Sequence, residues 1–111
     1  MTVTVKPLIP AKIAESSQTT QYTATGVTAI IDKFTATNYS AGAATISVNL
    51  VTGADTAGDQ NLITKTKTLQ PAEVYTFPEL VGQVLAPSGF ISTIAGTATA
   101  INIRASGREV S

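Results

Sequence analysis

Apolar and polar positions alternate along most of this chain, most clearly through Ile30 to Leu50, IIDKFTATNYSAGAATISVNL. Ile30, Phe34 and Ala36 share one parity, opposite Lys33, Thr35 and Thr37. Farther on, Ile46, Val48 and Leu50 alternate with Thr45, Ser47 and Asn49. A period of two predicts strands with one face buried and the other wet. The small residues of SAGAA between the two runs predict a reversal of the chain.

The same format fills the rest of the sequence. Thr2 to Lys6 alternates around Val3 and Val5, and Pro7 and Pro10 then remove backbone donors, so this segment reads as an edge or a strap. Ala11 to Ser16 has room for one helical turn. Ser17 to Thr25 is polar and β-prone and runs through Gly26 into Val27 to Ile31, as one bent strand or as two. Val51 to Leu62, with Gly53, Gly58, Asp55, Asp59 and Asn61, reads as a surface loop. Leu62 to Leu69 resumes a strand whose Lys65 and Lys67 fit an exposed edge better than a bulge.

A turn at Gln70 to Glu73 leads to a strand over Val74 to Phe77. Pro78 to Leu85 reads as a helical turn or a corner, with Leu80, Val81, Val84 and Leu85 as its apolar contacts. After Pro87-Ser88-Gly89 come strands at Phe90 to Ala95 and Thr99 to Ala105, and Gly107 permits a bulge before Arg108 to Val110.

This makes seven or eight strands without the long helical segments that a βαβ repeat needs. The expected fold is all-β, a two-layer antiparallel β-sandwich or jelly roll, with Phe34, Phe77, Ile91, Ile101 and Ile103 sharing one core. Residues 1–16 are expected to form an extended N-terminal arm or edge segment, and residues 17–111 the sandwich domain.

Composition narrows the chemistry. The 111 residues include no Cys and no His, which excludes disulfides, Cys/His zinc sites, thiol nucleophiles and His-based proton transfer. Seven basic and seven acidic residues cancel, and charged residues make up 13% of the chain, against a usual value of about 25%. That is no footprint for nucleic acid, and a net charge of zero leaves self-association unopposed. No apolar run approaches the roughly 20 residues that span a bilayer as a helix, and MTVTVKPLIP lacks a signal-peptide core. No membrane partner is expected.

Candidate chemical groups mostly read as structure. A hydroxyl nucleophile needs a base, and none of the five lysines falls in a Ser-Lys motif. Asp55 and Asp59 share a Gly-rich loop that would position paired carboxylates poorly. Calcium held by Asp55, Asp59 and Asn61 lacks a recognised loop spacing, and a solvated turn explains these residues better. Neither an enzyme nor a cofactor or metal is expected. Asp32 shares the parity of Ile30 and Phe34, so either it points inward to a cationic or backbone partner or a bulge returns it to water. Asn38-Tyr39-Ser40 matches the N-glycosylation pattern, a short and easily coincidental one. Lys65, Lys67, Arg104 and Arg108 would make a small basic patch if the fold gathered them, and solvation or subunit salt bridges account for them otherwise. Tyr22, Tyr39 and Tyr75 are candidate contacts or covers for the end of the core.

From Gly26 to Val110 the text resembles small structural proteins of tailed-bacteriophage virions. The resemblance rests on Thr35 to Asn38 before the small-residue turn, on Leu69 to Leu80, on Ala86 to Gly89, and on the Ala98 to Val110 ending. Within that group the chain looks most like an outer-capsid decoration, cement or staple protein. The resemblance implies a compact β fold on the outer surface of the capsid, assembled in the host cytoplasm. It further implies contact with the major capsid protein, self-association as a dimer or trimer, and no catalytic residues. A phage neck, tail or fibre-associated module that recognises a host glycan or another virion protein is the alternative. On this reading the interaction residues are Val3, Val5, Pro7, Leu8, Ile9 and Pro10 of the arm, together with Lys65, Lys67, Arg104 and Arg108.

Overall fold

In the computed structural model, which describes Met1 to Ser111, the alternating segments form nine strands. They are β1 (Val3–Ile13), β2 (Thr19–Thr23), β3 (Thr28–Asn38), β4 (Ala44–Val51), β5 (Leu62–Leu69), β6 (Val74–Tyr75), β7 (Val84–Leu85), β8 (Phe90–Ala95) and β9 (Ile101–Val110). One sheet has the order β1-β9-β3-β6, with β7 also on β3; the other has the order β2-β8-β4-β5. Every pairing is antiparallel. The two-residue strands β6 and β7 lie along the same neighbour. Taken as one interrupted strand, they complete the eight-stranded order of a jelly roll.

This topology changes the meaning of the SAGAA turn. β3 belongs to the first sheet and β4 to the second, so the turn carries the chain across the sandwich and closes no hairpin. Alternation marks which face of a strand is buried, but both sheets bury a face against the same core. Asn38 pins the crossing. Its side-chain amide donates to the carbonyls of Gly42 at 2.8 Å and Leu69 at 2.9 Å, and its Oδ1 accepts from the Ser40 amide and hydroxyl. Fully buried and bonded in this way, Asn38 has no room for a glycan, so the Asn38-Tyr39-Ser40 pattern is a structural motif here.

The interior holds a continuous cluster of 21 buried apolar residues. Phe34 and Phe77 meet edge to face with centroids 4.7 Å apart, and Tyr75 tilts against Phe77. Phe34, Phe77, Ile91, Ile101 and Ile103 are all fully buried. Leu80 and Leu85 join them, whereas Val81 and Val84 face solvent.

The N-terminal segment is the edge strand of the first sheet along the length of β9. Ala11 to Ile13 continue that strand, so the helical turn expected there does not form. Bulges at Leu8 and again before Lys12 reset its phase, and both Leu8 and Ile9 turn into the core. Gly26, at φ +69°, separates β2 from β3, which lie in different sheets.

A third bulge shifts β3 between Ile31 and Lys33. It makes Ile31 the core residue in place of Ile30 and turns both Asp32 and Lys33 outward. The inward path for Asp32 is thereby excluded.

Candidate interaction surface

The register of the first sheet fixes its outer face. Val5 opposes Arg108, Arg108 opposes Ile30, and Ile30 opposes Val84. Directly opposed residues share a face, so these four form one row across the sheet. A second row near the other end joins Ile13, Asn102, Thr37 and Val74. Both rows end in exposed aliphatic side chains: Val5 is 77% exposed, Val84 57% and Val74 55%. Arg108 lies within the first row and grips Asp32 in a fork, Nε to Oδ2 at 3.0 Å and Nη2 to Oδ1 at 2.9 Å. The Asp32 carboxylate holds the Arg108 guanidinium more firmly protonated than usual. This face is therefore apolar at its margins, with the Arg108–Asp32 pair and the exposed cations Lys33 and Arg104 between them.

The ten residues expected to make contacts do not stay together. Val3, Val5, Pro7 and Pro10 are exposed on β1. Leu8 and Ile9 are core residues, because the bulge that follows Pro7 turns both inward, and they cannot also touch a partner. Lys65 and Lys67 stand on β5 in the second sheet, while Arg104 and Arg108 stand on β9 in the first. The basic patch does not form. Lys67 Nζ lies 4.8 Å from the centre of the Tyr75 ring, a cation–π contact.

Several polar groups that no local pattern singles out tie the two sheets together. At one open side, the Tyr75 hydroxyl donates to Glu79 Oε1 at 2.7 Å and the Thr64 hydroxyl donates to Oε2. At one end, the Tyr22 hydroxyl donates to Glu109, which also pairs with Lys6. Glu15 accepts from Lys12 and from Gln21, and Gln21 bonds onward to Thr93. Lys12–Glu15, Glu15–Gln21 and Tyr75–Glu79 are local pairs, whereas Tyr22–Glu109, Lys6–Glu109, Gln21–Thr93 and Thr64–Glu79 meet only through the folded topology.

These ties set a pH dependence. Burial alone would raise the Glu79 carboxyl, but hydrogen bonds from Thr64 and Tyr75, a backbone bond and the Lys67 charge together hold it below its ordinary value. Hydrogen bonds from Lys12 and then Gln21 lower Glu15. A lowered folded-state pKa stabilises the protein above the unfolded value and is lost as pH falls through the folded one. The hydrogen bond to Glu79, followed by burial, pushes the Tyr75 phenol up to about 12. Its contribution is complete below the ordinary value of 10.0 and disappears as pH rises through about 12. Urea unfolding across pH should therefore show a stability plateau with a fall below about pH 4.5 and another above about pH 10. Tyr75→Phe should reduce the alkaline fall, leaving the part due to Tyr22, whose phenol is raised by burial and by its bond to Glu109.

The Gly-rich loop after β4 is bonded within itself. Asp55 Oδ1 accepts from the Thr56 amide, and Asn49 Nδ2 donates to Gly58 O and Asn61 Oδ1. Asn61 Nδ2 also faces Thr56 O and Asp55. Asp59 does not join, and no group of three acidic side chains converges. The surface has three depressions, two of them sizeable. One, of about 270 Å³ on the second sheet, is lined by Ser16, Thr45, Ser47 and Thr66 together with Ile94, Ala95 and Gly96. The other, of about 510 Å³ beside the Arg108 fork, includes Asp32, Lys33, Pro78 and Val81. No protein-family model, curated protein or solved structure matches the chain.

Proposed function

We propose that this chain is a non-enzymatic bacteriophage capsid decoration or staple protein that binds the outside of major capsid subunits and stabilises the mature head. The carrying observation is the outer face of the first sheet, where exposed valines flank the Arg108–Asp32 pair. Such a face suits broad contact with another protein, since its margins are apolar and Arg108 and Asp32 are paired, while Lys33 and Arg104 remain exposed for polar contacts. The jelly-roll order, which viral coat domains share with lectins and cupins, is compatible with the reading by analogy of fold. Individually weak contacts repeated over a shell would add through multivalency.

The alternative is a neck, tail or fibre-associated module that binds a host glycan or another virion protein. The depression on the second sheet offers a glycan the Ser and Thr residues among its lining, but no aromatic side chain lines it as a stacking platform.

Co-sedimentation with purified phage shells that lack a decoration protein, against binding to host surface polysaccharide, separates the two. Val84→Glu is the informative variant because it charges the face without touching the core. Loss of shell binding by the folded variant is expected. Shell binding that is absent in the parent protein, or indifferent to Val84→Glu, ends the proposal.

A further inference from the structure

The first sheet ends in a strand whose backbone is open on one side, and the four sheet edges differ in how they are protected. β5 carries Lys65 and Lys67 and is bulged. β2 is five residues long and shifts register at Gln21. β6 and β7 have two residues each. Charges, bulges and shortness all discourage pairing with another strand. β1 is blunted by Pro7, Pro10 and its bulges from Pro7 onward, but Val3 to Lys6 is regular. No charged side chain occurs from Met1 to Val5.

The phase of this stretch can be read from its hydrogen bonds. Thr2 and Ser111 exchange both backbone bonds, at 2.8 and 3.0 Å. Alternation along an antiparallel ladder then directs the backbone groups of Thr4 and Lys6 toward β9, and those of Val3, Val5 and Pro7 toward the open edge. Pro7 accordingly removes no bond from the sheet. Val3 and Val5 leave two amides and two carbonyls free.

We infer that this edge pairs with the same edge of a second copy of the chain, antiparallel and two-fold symmetric about Thr4. In that register Val3 of each copy exchanges both backbone bonds with Val5 of the other, so all the free groups of Val3 and Val5 are satisfied. A shift of two residues that sets Val3 against Pro7 loses this reciprocity, because Pro7 has no N–H to give. The valines of both copies fall on the outer face, which becomes continuous across the two-fold axis. A net charge of zero offers no repulsion. The contact is smaller than the roughly 1,000 Å² expected of a stable interface, so the dimer is a weak one that forms at high local concentration. The inference does not depend on the capsid reading, because it concerns only the chain with itself.

The two-fold places Thr4 opposite Thr4 as a pair without hydrogen bonds between them, with Cα atoms about 4.5 Å apart, within the span of a disulfide. The protein has no cysteine, so Thr4→Cys introduces a single thiol. With a copper oxidant supplied, Thr4→Cys should form covalent dimers roughly tenfold or more faster than Thr97→Cys, an exposed control on the β8–β9 turn. Adding Val5→Pro, which removes an outward N–H and spares the β9 ladder, should bring that rate down to the control. Val3→Pro serves in the same way if Val5→Pro lowers the melting temperature.

Equal rates for Thr4→Cys and Thr97→Cys would overturn the inference. So would a wild-type protein that stays monomeric in sedimentation up to the millimolar range. A monomeric chain whose shell binding falls with Val5→Pro would instead assign the edge to a strand of the capsid. Loss of shell binding with dimerisation intact would count against the capsid reading alone.

Discussion

Asn38→Asp should destabilise the protein by about 3–5 kcal/mol, the cost of an uncompensated buried charge. The substitution hardly changes volume, so the loss reports hydrogen-bond chemistry. The amide of Asn38 donates to two carbonyls, Gly42 O and Leu69 O, from a fully buried position. A carboxylate in its place would present lone pairs to both. The backbone of Asn38 is also committed, its N–H to Glu73 O and its carbonyl to the Ala72 amide. The chain at this crossing therefore has little freedom to turn the new group toward water. Against a typical total of about 5–15 kcal/mol, the variant would be marginal at neutral pH.

The same variant carries its own control. Burial beside two carbonyls would raise the pKa of the introduced carboxyl in the folded state, so stability should recover as pH falls through that value. Recovery should be partial, because a protonated carboxyl has one O–H for two acceptors. Asn38→Ala leaves those acceptors unpaired without adding charge and should lack the acid recovery. Urea unfolding at neutral and mildly acidic pH measures all three. An Asn38→Asp protein as stable as its parent at neutral pH would show that the crossing is not held by these bonds.

What the sequence discloses and what it conceals follow from the range of the forces involved. Alternation is local, so β4, β5 and β8 are legible, and so are Phe34, Phe77, Ile91, Ile101 and Ile103 as core. Which sheet a strand joins depends on partners far along the chain, and SAGAA looks the same in a hairpin as in a crossing between sheets. Bulges conceal more. One inserted residue at Asp32 exchanges Ile30 for Ile31 in the core, and one at Leu8 sends two arm residues inward. The outer surface is harder still: Val74 and Val84 are unremarkable in sequence and share a face with Val5 only through the register. The ties from Thr64 to Glu79 and from Tyr22 to Glu109 are non-local, so no spacing announces them, although Tyr75 lies only four residues from Glu79.

Gly107 is where these hidden shifts converge, and its substitution should have the other large effect. The bulge on β3 falls between the partners of Gly107 and Ser106, and that on β1 between the partners of Ser106 and Ala105. Gly107 thus sits in a central strand between two neighbours that both change phase beside it. A Cβ there would stand 2.1 Å from Ile30 O and 2.8 Å from Leu8 Cδ1. Leu8 can give way, but Ile30 O belongs to the backbone of the adjoining strand. Replacing glycine with alanine normally favours folding by about 0.4–1 kcal/mol through the unfolded chain. Overpacking costs about 1–3 kcal/mol, and more where the backbone must move. The second effect should win, so Gly107→Ala should lose about 2 kcal/mol or more and Gly107→Val should fail to fold. If β3 instead yields at no cost, Gly107→Ala would match or exceed the parent in thermal unfolding. The close passage of β9 between β1 and β3 would then not be what sets the register of the first sheet.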